Sequence, residues 1–287
     1  MNWALVGNND GPLRILKSLG EPQNFPLLIG LQKPVSAGLQ REYLKYIDKD
    51  HFFSGFEEDR LLQILENYKV NFIVNCFCNF RFIKLLEYYK VLNIHLSALP
   101  KYRGRHPLHW ALINGEDKIG ITIHEMTPGF DEGPICWQEM IKAEDKISVA
   151  SARENLLTVL ENNFSDFLIN FKKAEIKNIK NLNEEATYIK RRIPADSRLV
   201  EWKNRDLVYR KVWALSSERN PAYIMINNKK IIVREAEKIA LTGKFKEGSI
   251  IYFRKDSLEV SCEENKGIIL KLAEDILDLN RHQSYKL

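Results

Sequence analysis

Apolar and polar positions along the first half of the chain fall into blocks with two different periods. Trp3–Gly7, Pro26–Gly30, Asn71–Cys78 and Val91–His95 are short, mostly apolar runs, the pattern of strands buried on both faces. Between them lie segments with helical spacing. Gly11–Leu19 is one, stopped at Gly20, and Phe82–Tyr89 is another. Ser54-Gly55-Phe56-Glu57 has the form of a capping box and predicts a helix with Leu61, Leu62, Ile64 and Leu65 on one face. Strands separated by helices imply an α/β domain, a parallel sheet with helices on both faces. Ligands of such sheets bind in the crevice beyond the carboxyl ends of the strands, so chemistry is expected just after Val91-Leu92. Ile119–Met126 and Pro134–Ile141 read as further strands. Ser151-Ala152-Arg153-Glu154 reads as a second capping box. It opens a long amphipathic helix whose stripe of Leu156, Leu157, Leu160, Phe164, Phe167, Leu168 and Phe171 is core packing.

The pattern breaks at residues 175–200, which are rich in Lys, Asn and Glu and end in Arg191-Arg192-Ile193-Pro194. They predict a linker at 176–200, between a domain at 1–175 and a smaller one at 201–287. The smaller domain has one helix, Arg205–Leu215, and then only strand signals. Ala222–Ile226 and Lys230–Ala236 flank Asn227-Asn228, a hairpin-type turn. Ser249–Phe253, Leu258–Cys262 and Gly267–Leu272 follow at close spacing, so this region is mostly β.

Composition narrows the classes. Of 287 residues, 45% are hydrophobic and 28% charged, which excludes a largely disordered chain. No apolar stretch approaches the length of a membrane span, so no membrane partner is expected. The first residues read as a buried strand and not as a signal peptide. Four cysteines, Cys76, Cys78, Cys136 and Cys262, lie in apolar runs and suit a reducing cytoplasm. Cys76 and Cys78 form a C-x-C, but no second Cys or His pair stands near them in sequence, so no metal is expected. The net charge of +5 is uneven: −2 through residue 185 and +7 from 186 onward. The basic part suits either a phosphorylated partner, nucleic acid included, or a solvated lysine-rich surface.

The densest polar cluster follows Val91-Leu92 and runs Asn93-Ile94-His95-Leu96-Ser97-Ala98-Leu99-Pro100-Lys101-Tyr102-Arg103-Gly104-Arg105-His106-Pro107. Residues i and i+2 of a strand share a face, so Asn93 and His95 project together. An amide donor beside an imidazole suits acyl transfer, one group for an oxyanion and one for a proton. A buried histidine simply bonded to its neighbours would leave the same pair in the sequence. The loop Gly7-Asn8-Asn9-Asp10-Gly11-Pro12 lacks the G-x-G-x-x-G pattern, which disfavours a nicotinamide cofactor. Asn9 and Asp10 face the expected crevice and are candidates for substrate contact.

These residues resemble the 10-formyltetrahydrofolate-dependent formyltransferases. The matching pattern is Asn93/His95/Ser97/Leu99-Pro100/Tyr102-Arg103-Gly104, then Pro107/Trp110-Ala111, Gly115-Glu116, Gly120/Thr122/His124/Met126 and Asp131/Gly133/Ile135. It spans about 45 residues without a gap, and a looser resemblance covers nearly the whole chain. The wording Lys101–Arg105 with Pro107-Leu108, and Glu185–Trp202 at the linker end, is most similar to the sugar-nucleotide N-formyltransferases. These include the formyltransferase part of the enzyme acting on UDP-4-amino-4-deoxy-arabinose.

The resemblance implies a Rossmann-like formyltransferase domain followed by a small OB-like barrel. It implies formyl transfer from 10-formyltetrahydrofolate to a primary amine, without metal. Asn93 would donate to the oxyanion, His95 would take the proton and Asp131 would orient the imidazole. Folate would lie against Asn79, Phe80, Arg81, Phe82, Arg105 and the Thr127-Pro128-Gly129-Phe130 loop. Substrate would meet Tyr102, Arg103 and Gly104. The amine would be that of a UDP- or dTDP-linked amino sugar for surface glycan synthesis, and relatives include monomers and homodimers. The first alternative is an initiator methionyl-tRNA formyltransferase, which the basic tail favours. Against it stand Arg105 and a loop after Leu31 with only Lys33 and Arg41 as cations before Tyr43. A non-catalytic folate- or sugar-nucleotide-binding protein is the second, and the presence of Asn93, His95 and Asp131 together speaks against it.

Overall fold

The computed structural model describes residues 2–20, 26–31, 35–56, 58–78 and 82–274. The chain divides into two compact units. One comprises Met1–Pro107, Gly120–Ile141 and Glu154–Ile189; the other comprises Leu108–Ile119, Lys142–Arg153 and the chain from Lys190 onward. In order, the elements of the first half are β1 (Trp3–Val6), α1 (Gly11–Leu19), β2 (Leu27–Leu31), α2 (Ala37–Tyr43), β3 (Phe52–Phe56), α3 (Glu58–Asn67), β4 (Phe72–Cys76), α4 (Leu85–Tyr88) and β5 (Lys90–His95). Then come β6 (Arg103–Gly104), α5 (Pro107–Asn114), β7 (Lys118–Glu125), β8 (Ile135–Lys142), α6 (Val149–Lys172) and β9 (Tyr188–Ile189). The last part holds α7 (Arg205–Ala214), β10 (Tyr223–Ile226), β11 (Lys229–Ala240), β12 (Ile250–Phe253), β13 (Ser257–Ser261) and β14 (Lys266–Leu272).

Seven strands form the sheet of the first unit, in the order β3-β2-β1-β4-β5-β7-β8. The pairs from β3 through β5 are parallel, and β7 runs antiparallel to β5. Helices cover both faces, as the continuous apolar runs require. On one, the α6 ring of Phe164 lies 5.9 Å from Trp3, and Phe171 lies 5.0 Å from Phe72. On the other, Leu61, Ile64 and Leu65 of α3 pack with Ala4, Val6, Ile29 and Ile73. Leu156, Leu157, Leu160, Phe164, Phe167 and Leu168 are all buried, and each such side chain contributes about 1.5–3 kcal/mol.

Both expected capping boxes are displaced. Ser54 lies inside β3, where its hydroxyl accepts from Val35 N–H at 3.0 Å, and α3 begins only at Glu58. The long helix begins at Val149, and the hydroxyl near its start that accepts a backbone N–H is Ser148, from Ser151 at 3.1 Å. A serine three residues before a glutamate fits the box pattern in either place; the chain's path decides which serine caps. The segment expected as a linker is not slack in its first part. Ile179 bridges to Ile135, and β9 pairs with β6.

The second unit carries a five-stranded antiparallel sheet, in the order β10-β11-β14-β13-β12. The β10–β11 turn places Asn227 and Asn228 at φ 49° and 62°, the left-handed pair that a two-residue hairpin needs. The strand register shifts between Val233 and Glu235 and between Ile250 and Tyr252. Val208, Tyr209 and Val212 of α7 pack with Ile224, Val233, Val260 and Leu270. Among the described residues, no helix is long and apolar enough to cross a membrane.

Candidate active site

Three polar side chains stand in one row across the first sheet. β4 pairs Asn75 with Asn93 of β5, and β5 pairs Asn93 with His124 of β7. Their hydrogen bonds have fixed directions. Cys78 N–H donates to Asn75 Oδ1 at 3.3 Å, so Asn75 Nδ2 donates to Asn93 Oδ1 at 2.8 Å and to Cys78 O at 3.3 Å. Asn93 Nδ2 is then left facing His124 Nε2 at 3.0 Å and Asp131 Oδ1 at 3.4 Å. His124 Nδ1 lies 2.9 Å from the Glu125 carbonyl. A carbonyl only accepts, so Nδ1 carries the proton, and Nε2 offers its lone pair to Asn93.

His95 closes β5 and is 7% exposed. Its Nε2 donates to Tyr102 O at 2.9 Å, which leaves Nδ1 as the nitrogen with a lone pair, 3.6 Å from Asp131 Oδ2. Burial lowers the affinity of His95 for a proton, outweighing the Asp131 charge and the Tyr102 bond, which act the other way. Burial alone would raise the Asp131 carboxyl. The neighbouring His124, the His95 charge and the Gly104 N–H outweigh it and hold the group at about 2. At neutral pH the site is therefore a carboxylate beside a neutral imidazole.

The backbone around Asp131 is held from two sides. Gly104 N–H donates to Asp131 Oδ2 at 2.8 Å, and Asn181 Nδ2 donates to the carbonyls of Asp131 at 2.8 Å and Gly133 at 3.0 Å. Asp131 sits at φ 54° and Gly104 at φ 109°. A Cβ at Gly104 would stand 2.6 Å from Ile189 O, so glycine is needed where β6 meets β9. Arg103 ties the arrangement together. Nη1 donates to Asn183 Oδ1 at 2.8 Å and Tyr188 Oη at 2.7 Å, and Nη2 to Asn181 Oδ1 at 2.7 Å.

The structure thus brings Asn93, His95 and Asp131 together. Arg103, expected at the substrate, is 0% exposed, and its guanidinium bonds Asn181, Asn183 and Tyr188. Phe82, expected among the folate contacts, has its side chain buried in the core with Leu61 and Leu85. Asn79, Phe80 and Arg81 lie outside the described residues. Tyr102 is buried and reaches the site through its carbonyl. Arg105 is exposed; Thr127 and Gly129 are half-buried, Pro128 is exposed, and Phe130 exposes 65% of its surface. Asn9 and the exposed Asp10 follow β1. The Asn9 side chain donates to Phe77 O and accepts from Gly11 N–H, and the Asn9 backbone carbonyl accepts from Tyr43 Oη at 2.5 Å.

Sequence reasoning missed Asn75, Asn181 and Tyr188. Asn75 had a signal, the one polar residue in Phe72-Ile73-Val74-Asn75-Cys76. Asn181 had none, because it lies in a stretch that reads as polar linker.

Comparison with known proteins gives a consistent set of likenesses. The family profile described as formyl transferase matches residues 43–165, and the one described as formyl transferase, C-terminal domain, matches 192–276. The bifunctional polymyxin resistance protein ArnA of Wigglesworthia glossinidia brevipalpis is 34% identical over 179 residues, 62% of this chain and 27% of that one. A methionyl-tRNA formyltransferase of Caldanaerobacter subterraneus is 30% identical over 193 residues, 67% of this chain and 62% of that one. The match thus spans less than two thirds of either curated relative. Among solved structures, the N-formyltransferase of Helicobacter canadensis, in complex with folinic acid and dTDP-3-aminofucose, superposes with a TM-score of 0.71. It is 18% identical, over 95% of this chain and 99% of that one, a likeness of fold.

Proposed function

The chain belongs to the formyl transferase family, and from that premise we propose that it moves a formyl group from 10-formyltetrahydrofolate to the primary amine of a nucleotide-linked amino sugar. The observation that carries the transfer chemistry is the meeting of Asn93, His95 and Asp131 at the carboxyl end of β5. A neutral amine attacks the formyl carbon, negative charge grows on the formyl oxygen, and the nitrogen becomes cationic. Asn93 Nδ2 has two hydrogens. One is taken up by His124 at 3.0 Å; the other, at 3.4 Å from Asp131, is loosely held and serves the formyl oxygen. His95, neutral and with a free lone pair on Nδ1, takes the amine's proton. Asp131 then faces an imidazolium instead of a neutral ring, an attraction present only after proton transfer. Folate supplies the activated formyl group: the tetrahedral adduct collapses by breaking the formyl carbon–N10 bond, and the imidazolium of His95 returns its proton to N10, so that tetrahydrofolate leaves as a neutral amine. Arg105 offers an exposed cation, and Phe130 an exposed ring, on the two loops joined by the Gly104–Asp131 bond.

The sugar acceptor is supported by the Lys101–Arg105 wording, by the ArnA likeness and by the dTDP-sugar ligand of the Helicobacter canadensis protein. A methionyl-tRNA acceptor is the second reading, favoured by the +7 charge beyond residue 185 and by the Caldanaerobacter likeness. The test offers the purified protein 10-formyltetrahydrofolate with a panel of UDP- and dTDP-linked amino sugars, and in parallel with charged initiator methionyl-tRNA. Mass spectrometry reads the gain of one formyl group. A formylated sugar nucleotide and untouched tRNA are expected; formylated tRNA with no sugar product reverses the choice of acceptor.

A further inference from the structure

We infer that Asn75 is a positioning residue for the transfer: by donating to Asn93 Oδ1 from the middle of the sheet, it keeps the Asn93 N–H, and not its oxygen, facing the reacting formyl group. The inference rests on the formyl-transfer reading above. An asparagine amide has two nearly equal-sized ends of opposite polarity, and a half-turn of the side chain exchanges them. Only one orientation stabilises an oxyanion. The other places a carbonyl oxygen against it. Whatever selects the orientation therefore controls whether Asn93 acts at all.

Three neighbours face the Asn93 amide: Asp131 Oδ1, a long contact at 3.4 Å from Nδ2, and the closer His124 and Asn75, which differ in what they enforce. His124 Nε2 faces Asn93 Nδ2 at 3.0 Å. An imidazole nitrogen accepts or donates according to which of the two ring nitrogens carries the proton, so its role here depends on the tautomer that Glu125 O selects. Asn75 has no such freedom. Its Oδ1 accepts from Cys78 N–H at 3.3 Å, and a backbone N–H cannot change sign. Its Nδ2 is therefore fixed as a donor, 2.8 Å from Asn93 Oδ1. Asn75 is 3% exposed, in a strand whose other residues are apolar. Burying an amide there is unfavourable unless its bonds are made, and its bonds point at Asn93 and at the loop after β4. The register that pairs Asn75 with Asn93 sets the contact through the backbone.

The test compares Asn75→Asp, which keeps the shape and replaces the donor by an acceptor, with Asn75→Val, which removes the donor. Asn93→Ala is the reference. Steady-state kinetics are measured with both substrates saturated in turn. Without substrates, protein labelled with 15N-asparagine reports the NOE from the Asn93 Nδ2 hydrogens, assigned by their loss in Asn93→Ala, to the His124 ring. Asn75→Asp is expected to lower kcat by about 100-fold, the effect of losing an oxyanion donor, with both KM values within about 3-fold of the original and the NOE gone. Asn75→Val is expected to lower kcat less. A folded Asn75→Asp protein with unchanged kcat, or one that keeps the NOE, overturns the inference. If Asn75→Asp does not fold, Asn75→Val decides, and unchanged kcat with an unmoved NOE overturns it. If Asn93→Ala itself turns over normally, the transfer reading of the site falls and this inference with it. An inactive Asn93→Ala beside a fully active Asn75→Asp removes only the role of Asn75.

Discussion

His95 and Asp131 share one small volume but do different work, and the difference is set by what else touches each of them. The imidazole is buried and keeps its lone pair; the carboxylate has Gly104 N–H and two histidines around it. Asn93→Ala, His95→Ala and Asp131→Asn are each expected to lower kcat by about 100-fold or more, and double variants to lose much less than the product of the single losses. A His95→Ala enzyme with near-normal turnover would remove it as the base. Proton affinity gives a second check. The folded state holds His95 below its ordinary value of about 6.5, so its contribution to stability is full above that value and declines as the pH falls below it. Asp131 is shifted down to about 2, so its contribution is full above the ordinary carboxyl range and is lost as pH falls through about 2. A histidine NMR titration is expected to show His95 protonating below pH 6.5; protonation at or above 7 contradicts a neutral base.

At the level of elements, the strands were the legible part of the sequence. Trp3–Val6, Phe72–Cys76 and Lys90–His95 are buried on both faces or nearly so, and burial on both faces leaves an apolar run that needs no partner to be read. Helix starts were less legible. Ser54 and Ser148 both meet backbone N–H groups, yet only the second lies at a helix start, because a cap depends on where the chain turns. Ser148→Ala is expected to lower unfolding free energy by about 1 kcal/mol, read from a urea midpoint. The Asn93–His95 pair was visible from strand spacing. Asn181 and Tyr188 were not, since nothing local reveals that a polar stretch returns to bond Asp131 and Arg103. Replacing Arg103 by methionine removes a buried cation from four polar partners. The expected results are faster proteolysis at residues 175–189 and a fall in kcat through the loosened Asp131 loop. Proteolysis at the original rate would mean that the segment is held by something else.

For the whole molecule, the unequal charge distribution turns the choice of acceptor into a question of salt. A tRNA meets many phosphates, and six or more such contacts weaken binding by about 10³-fold or more between about 50 and 200 mM salt. A sugar nucleotide has two phosphates and loses far less. KM for the acceptor is therefore expected to change shallowly over that range; a steep dependence would restore the region beyond residue 185 as a surface for nucleic acid.

The Asn181 and Tyr188 contacts also bear on how such proteins are recombined. The composition changes near residue 175, but the segment that bonds Asp131, Glu132 and the β6 strand beside them extends to Ile189. A chimaera joined at the compositional change would give the catalytic loop a foreign strap, with another protein's side chains in the places of Asn181 and Tyr188. A junction beyond Ile189 keeps Arg103 and its partners from one parent. In an exchange of carboxyl-terminal regions between relatives, the seam belongs beyond Ile189, where the pairing of this strap with β6 ends.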